Sequence, residues 1–227
     1  MKREINIATW KRKDHFEFFS RFEEPFYGVT VNIDCTNAHR YAKESQQSFF
    51  LTYLYLALKA ANQIEEFRCR IVADKVFIYD QVNVASTVDR PDGTFGFSYV
   101  NYQQDQALFI ADAIQIMEQV RQGSGLKMAD ADDHVIHFSA LPWINFSSLS
   151  HARSFSVSDS SPKISFGKYT DENGVKTMPV SIHVNHALVD GYHVGQFVAG
   201  FQKLMNQVGL ADDFLLQQNL TPIVQTP

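Results

Sequence analysis

The chain has 227 residues, of which 45% are hydrophobic, 20% charged and 13% aromatic, with 19 Phe and 9 Tyr, enough material for one large core. A formal net charge of -5 without a long Lys/Arg run lacks the electrostatic footprint of a nucleic-acid partner. The longest apolar stretch, Phe49 to Ala61, contains Thr52, two Tyr and Lys59, too short and too polar to cross a bilayer.

Met1 to Thr9 has no apolar core of the signal-peptide kind, so the expectation is a cytoplasmic protein that binds no membrane. Cys35 and Cys69 are the two cysteines, without CxxC spacing, and read as reduced thiols belonging neither to a disulfide scaffold nor to a zinc site. No repeat or Gly/Pro-rich linker interrupts the chain, so one domain is expected over residues 1–209, with a weakly ordered tail over 210–227.

In chain order, Asp14–Arg21 reads as a short helix, with Phe16, Phe19 and Phe22 at helical spacing. Val29–Ile33 alternates as a strand does. Ser45–Ile64 carries Phe49, Tyr53, Leu56 and Ala60 on one helical stripe. Phe67–Val72 and Lys75–Tyr79 flank Ala73-Asp74 as a hairpin, and Phe95–Asn101 is a further strand after Pro91-Asp92-Gly93. Ala107–Gln122 reads as a helix stopped at Gly123, and Val135–Ala140 as a strand. Lys163–Lys168 and Met178–Asn185 are strands on either side of the Asp171–Gly174 turn; a last helix begins near Gly191 and stops at Gly209. Many strands mixed with a few helices predict an α+β sandwich.

Three of the eight His, His183, His186 and His193, fall within eleven residues. Strand geometry puts His183 and His186 on opposite faces, and no Cys, Asp or Glu completes a ligand set, so no metal is expected. The string His186-Ala-Leu-Val-Asp190-Gly191 ends an alternating strand at a His and launches a helix through a tight turn. An imidazole fixed at a strand rim and titrating near ~6.5 is suited to take and return a proton. Asp190 could cap the turn or pair with an Arg, and Gly191 would permit a positive φ or a close backbone approach. A His before a turn and an Asp at a helix start are also ordinary structural features, and the string by itself leaves both readings open.

Four separated segments carry a resemblance. Ser181–Phe197, Trp10–Phe19, Ser139-Ala-Leu-Pro-Trp-Ile-Asn-Phe-Ser-Ser148 and Gly167-Lys168-Tyr169 together resemble, in order, the chloramphenicol acetyltransferase family across residues 5–207. The resemblance implies a two-layer sandwich, a mixed β-sheet with helices on one face, and acetyl-CoA as cosubstrate with no metal. It also implies a homotrimer whose active sites lie between subunits. By it, His186 is the base that deprotonates the acceptor hydroxyl, Ser148 donates to the oxyanion, and Arg12 pairs with Asp190 to hold the turn. Lys168 and Tyr169 would meet the nucleotide end of acetyl-CoA. Phe18, Phe19, Phe26 or Tyr27, and Phe95 fall where an aromatic acceptor pocket is expected, and Ser165 stands there in place of the usual Thr. For each aromatic, core packing is an equal alternative.

Departures bear on the acceptor. Asn185 replaces the first His of the family's doublet, Phe97 stands where a smaller residue is usual, and Ser154–Ser161 is more polar than in relatives that bind chloramphenicol. The expected activity is O-acetylation, of chloramphenicol first, with a more polar alcohol or thiol, or a non-catalytic binding protein, as alternatives. The acyltransferase cores of 2-oxo acid dehydrogenase complexes share an HxxxDG string, but the chain has no lipoyl-type or linker region.

Overall fold

The computed structural model describes residues 1–126, 134–154 and 159–210. The larger sheet is built from β2 (Phe26–Asp34), β5 (Asn83–Asp89), β6 (Phe95–Val100), β7 (Val135–Leu141), β8 (Lys163–Gly167) and β10 (Val175–Asn185), in the order β2-β10-β8-β7-β5-β6, with the short β9 (Thr170–Glu172) against β10. The three central neighbours β5, β7 and β8 run parallel and the other pairs antiparallel. A second, three-stranded sheet joins β1 (Lys2–Glu4), β4 (Lys75–Tyr79) and β3 (Cys69–Val72). The expected α+β sandwich, a mixed sheet with helices laid on it, is the architecture found.

One face of the large sheet carries the core. Phe138 and Phe166 stack at 6.0 Å, and Phe166 meets Tyr53 of α3 (Phe49–Asn62) and Phe201 of α5 (Gly191–Gln207). Val180, Ile182 and Val184 of β10 lie on the same side and are wholly buried. Period-two alternation turns Ser165, Ser181 and His183 toward the opposite face. There the ring of His183 lies over Gly28, where any Cβ would sit 2.3 Å from the imidazole.

Several elements differ from the sequence reading. The helix expected over Ser45–Ile64 is the single helix α3, starting four residues later, and a helix the sequence reading did not contain, α2 (Thr36–Glu44), precedes it, the two being separated at Gln46, whose φ is 55°. Ser48 starts α3, its Oγ accepting from Leu51 N at 3.3 Å. The polar α2 buries only Ala38 and Ala42, a stripe too small to register as large-residue periodicity. β5 escaped for the converse reason: buried between β6 and β7, Asn-Val-Ala-Ser-Thr-Val-Asp has no need to alternate. Phe67 lies in a 3-10 turn (Glu66–Arg68) ahead of β3. The two expected hairpin turns are present, with Ala73 and Asp74 at φ 48° and 62°, and Asn173 and Gly174 at 56° and 87°; the second joins β9 to β10, not β8 to β10. α1 (Lys13–Phe19) and α4 (Gln106–Gln122) match the two other expected helices within a few residues. Of the expected tail, residues 211–227 lie outside the described residues.

Candidate active site

β10 ends at Asn185, and its side chain builds the turn that follows. Asn185 Oδ1 accepts from Ala187 N at 3.0 Å, while its carbonyl accepts from Leu188 N and Val189 N at 3.0 and 2.9 Å. His186 N donates to Pro25 O at 2.8 Å, and Ala187, Leu188 and Val189 are buried. The imidazole of His186 is therefore carried on a backbone closed on both sides. Asn185 thus performs a local structural task through its side-chain oxygen.

Asp190 is the extended N-cap of α5 and divides its two oxygens. Oδ1 accepts from Tyr192 N at 3.0 Å, and Oδ2 takes Nη1 of Arg12 at 2.6 Å. Arg12, just ahead of α1, is 5% exposed, so the charged stretch Lys11–Asp14 is not a uniformly solvated one. Burial pushes the Asp190 carboxyl upward, but the Arg12 hydrogen bond and the neighbouring positive charges outweigh it and leave it below the usual carboxylate range. Gly191 does not serve as expected: its φ is not in the left-handed region, and an added Cβ would meet nothing within 4 Å. The turn's shape comes from Asn185 and Asp190 instead.

The His186 ring stacks on Phe19 at 3.9 Å and 10°, and Tyr27 leans on it at 4.5 Å. Phe18 and Phe22 extend this cluster at 5.0 and 5.4 Å from Phe19, and Phe18 is largely exposed. Among the described residues, His186 Nδ1 and the Tyr27 hydroxyl are buried without a hydrogen-bond partner. Burial, helped by Asp190, pushes the Tyr27 phenol up to about 12. Of the pair Phe26 or Tyr27, it is Tyr27 that touches the imidazole; Phe26, on the opposite face, lies beneath the Arg153 guanidinium and the Lys163 ammonium. The three clustered His thus go to three places: His183 over Gly28, His186 against Phe19, and His193 toward Glu66 and Asp190.

The remaining expected site residues sit elsewhere. A cleft of about 700 Å³ opens beyond the C-terminal ends of β5 and β7, lined by Phe50 and Tyr53 of α3, Met117 of α4, Phe95, Ser139 and Trp143. Its size is that of a small-ligand site. Lys168 and Tyr169 follow β8 at the same end, Lys168 exposed and Tyr169 half-buried against His39 and Phe49. Ser165 is fully buried, its hydroxyl without a partner among the described residues, beside Ser139 in the β7–β8 register and Ser181 in the β8–β10 register. Ser181 precedes His186 by five residues, so at the rise of a strand the imidazole is roughly 17 Å farther along β10. One chain therefore does not bring Phe95, Ser165, Lys168 and Tyr169 to His186.

Ser148 lines neither region. It is exposed, in the segment after β7. The serine of that signature which does line the cleft is Ser139, at its first position and on a strand; strand placement of a small polar residue beside a second serine was the available signal. Ser154–Ser161 is divided between packing and a cavity wall. Residues 155–158 lie outside the described residues; Ser160 and Ser161 are buried and Ser160 Oγ accepts from Ile71 N at 2.8 Å, while Ser154 and Asp159 line a cavity of about 400 Å³ together with Phe16, Phe22 and Asn185. Glu66 and the role of His193 went unread, because a Glu and a His 127 positions apart share no local pattern.

Comparison with known proteins decides the family. The family model described as chloramphenicol acetyltransferase matches residues 2–202. The chain belongs to the chloramphenicol acetyltransferase family. Its class of chemistry is thus acetyl transfer. The chloramphenicol acetyltransferase 3 of Escherichia coli is 29% identical over 204 residues, covering 89% of this chain and 96% of that one. The Bacillus pumilus enzyme is also 29% identical, covering 84% and 87%. A solved chloramphenicol acetyltransferase superposes with a TM-score of 0.85 at 31% identity, over 90% of this chain and all of that one. The Azotobacter vinelandii dihydrolipoamide acetyltransferase, at a TM-score of 0.64 and 14% identity over 86% of each chain, shares the fold of this family.

Proposed function

We propose that the protein transfers the acetyl group of acetyl-CoA to the hydroxyl of a small aromatic alcohol, chloramphenicol first among them, with His186 as general base. The observation that carries this reading is the His186 turn. Its imidazole stands at the end of a rigid strand, one ring face is set by Phe19, and Asp190 is spent on Arg12 and the helix cap. Asp190 so engaged is a brace for the turn, not the acid partner of a triad.

In this reaction the acceptor hydroxyl gives its proton to His186 as its oxygen bonds to the thioester carbon. The tetrahedral intermediate collapses with loss of the C–S bond, and the imidazolium returns the proton to the departing sulfur, leaving the acetyl ester and free CoA. The aromatic character of Phe18, Phe19, Phe22 and Tyr27 near the base, and of Phe95 and Trp143 at the cleft, favours an acceptor with a ring. For the oxyanion donor, Ser139 is the better assignment than Ser148, since a donor must be held before charge develops and only Ser139 is fixed on a strand lining the cleft. Lys168 and Tyr169 are retained as contacts for the nucleotide part of acetyl-CoA, a cation and an aromatic suited to phosphate and adenine.

The separation of His186 from the cleft within one chain supports sites assembled between copies, a homotrimer in which one subunit's base serves its neighbour's pocket. A cytoplasmic location accords with the two reduced, buried thiols. The test is release of CoA thiol from acetyl-CoA with chloramphenicol as acceptor, for wild type and His186→Ala. Turnover that depends on His186 supports the reading. Turnover that appears only with non-aromatic alcohols or thiols moves the acceptor class, and none with any acceptor removes the enzyme assignment.

A further inference from the structure

Behind the His186 turn lies a ring of charged side chains that the reaction as written does not use. His193, in the first turn of α5 and 7% exposed, stands between two carboxylates: its Nδ1 is 2.9 Å from Asp190 Oδ1, and its Nε2 is 3.2 Å from Glu66 Oε1. Nδ1 also lies 3.2 Å from the backbone N–H of Asp190 in a capping box. Glu66, in the 3-10 turn before β3, is itself buried, and Lys11 Nζ approaches the same Oε1 at 3.8 Å. Lys11 and Arg12 are adjacent, so one short segment reaches both acids, Lys11 to Glu66 and Arg12 to Asp190, and His193 closes the circuit between them.

The arrangement does more than cap a helix. Capping needs only Nδ1 of His193, which faces Asp190. The placement of a second, buried carboxylate at Nε2 desolvates a charge for which the cap has no use. Its effect is to fix the ring's plane and tautomer, because Glu66 accepts only from an Nε2–H. The hydrogen bond from His193 is in turn the leading reason that the Glu66 carboxyl is held below its usual range. With Nε2–H given to Glu66, Nδ1 is left to accept from the Asp190 backbone N–H, so the position of the Asp190 backbone is set, and with it the division of the Asp190 carboxylate between Arg12 and the backbone of α5.

We propose that Glu66 and His193 are a positioning pair for the catalytic turn: Glu66 orients His193, His193 orients Asp190, and Asp190 with Arg12 fixes the segment that carries His186. The catalytic consequence rests on the acetyl-transfer reading, while the orientation of the imidazoles does not. A base misplaced by an ångström or less loses rate without losing substrate affinity.

The experiment uses the full chain as wild type, Glu66→Gln, His193→Asn, the double variant, and Glu172→Gln at an exposed β9 position as control. Asn at 193 keeps a polar atom for the cap and cannot span to Glu66. The readouts are kcat and KM for acetyl-CoA and chloramphenicol, and the imidazole ¹⁵N signals of His186 and His193 in histidine-labelled protein. Expected are a kcat lower by about ten- to hundredfold in both single variants with KM unchanged, and a double variant no worse than either single one, since both break one circuit. The His186 signals should shift or broaden in both, and Glu172→Gln should match wild type. His186 signals superimposable on wild type in folded Glu66→Gln and His193→Asn overturn the proposal, as does a fall in thermal midpoint with kcat intact. If wild type itself fails to acetylate, the acetyl-transfer reading falls, and the His186 signals still decide the positioning pair.

Discussion

The two ends of the large sheet are built on opposite plans. At the C-terminal end of β10 the backbone is closed and enclosed: the turn is held by four hydrogen bonds to Asn185 and Pro25, and Arg12 and Asp190 share a 2.6 Å contact with Arg12 sealed from solvent, while His186 Nδ1 and the Tyr27 hydroxyl are buried there without a partner among the described residues. At the ends of β5 and β7, a 700 Å³ cleft is edged by apolar groups left in water, with Trp143 73% and Phe95 46% exposed. The contrast follows from two tasks. A base must be preorganised, and the hydrogen-bonded turn and the Arg12–Asp190 pair hold its backbone in place. A substrate volume must open, and the exposed apolar rim is what a second surface would cover.

The strongest way to break the comparison is to remove the base. His186→Ala should lower acetyl transfer on the order of a thousandfold, with the thermal midpoint kept within roughly 3 °C; steady-state thiol release and a melt on the same sample check both. At the other end, Ser139→Ala should cost on the order of a hundredfold in kcat and Ser148→Ala almost nothing. The opposite ranking would return the oxyanion role to the exposed loop serine.

A mixture sharpens the comparison further. If each site joins one copy's His186 to another's Ser139, co-expressed His186→Ala and Ser139→Ala chains should recover about a quarter of wild-type activity by random assembly, although each is nearly dead alone. Activity no higher than that of the separate variants would place both residues of a site in one chain.

Smaller effects concern the brace. Arg12→Ala should destabilise the fold by about 2 kcal/mol, less than a fully buried pair because Asp190 remains partly exposed, which corresponds to a midpoint lowered by about 6 °C. The pH dependence has a definite sign. The native Asp190 pKa is depressed, so its stabilisation is complete above the unfolded carboxylate value of ~3.9 and is lost as pH falls through the lower native value. Wild type should therefore exceed Asp190→Asn most at neutral pH, and the gap should narrow below about pH 4, as followed by thermal melts across that range.

Much of the fold was readable because the signals were local. Asn173-Gly174 and Ala73-Asp74 announced hairpins, and the apolar stripe of α5 from Val194 to Met205 announced a helix with a buried face. Where burial was two-sided, as in β5, or the buried face was two alanines, as in α2, period carried no message. The site divides in the same way. His186, Asp190 and Arg12 could be named from the sequence, and the 2.6 Å contact joins the last two. The signature around Ser139 and Ser148 marks a segment, and strand register and the cleft place its first serine on β7 and its last in the exposed segment after it.

The sequence by itself determined the layered α+β class, the helix-launching turn at His186 and the family to which the chain belongs, since each is written in neighbouring residues or in ordered motifs. The tertiary structure alone decided that Asn185 closes that turn, that Glu66 faces His193 across 127 positions, and that Ser139 and His186 stand at different ends of one sheet. These are contacts between segments far apart in the chain. Their energy depends on packing and exclusion of water, which no short window of residues contains.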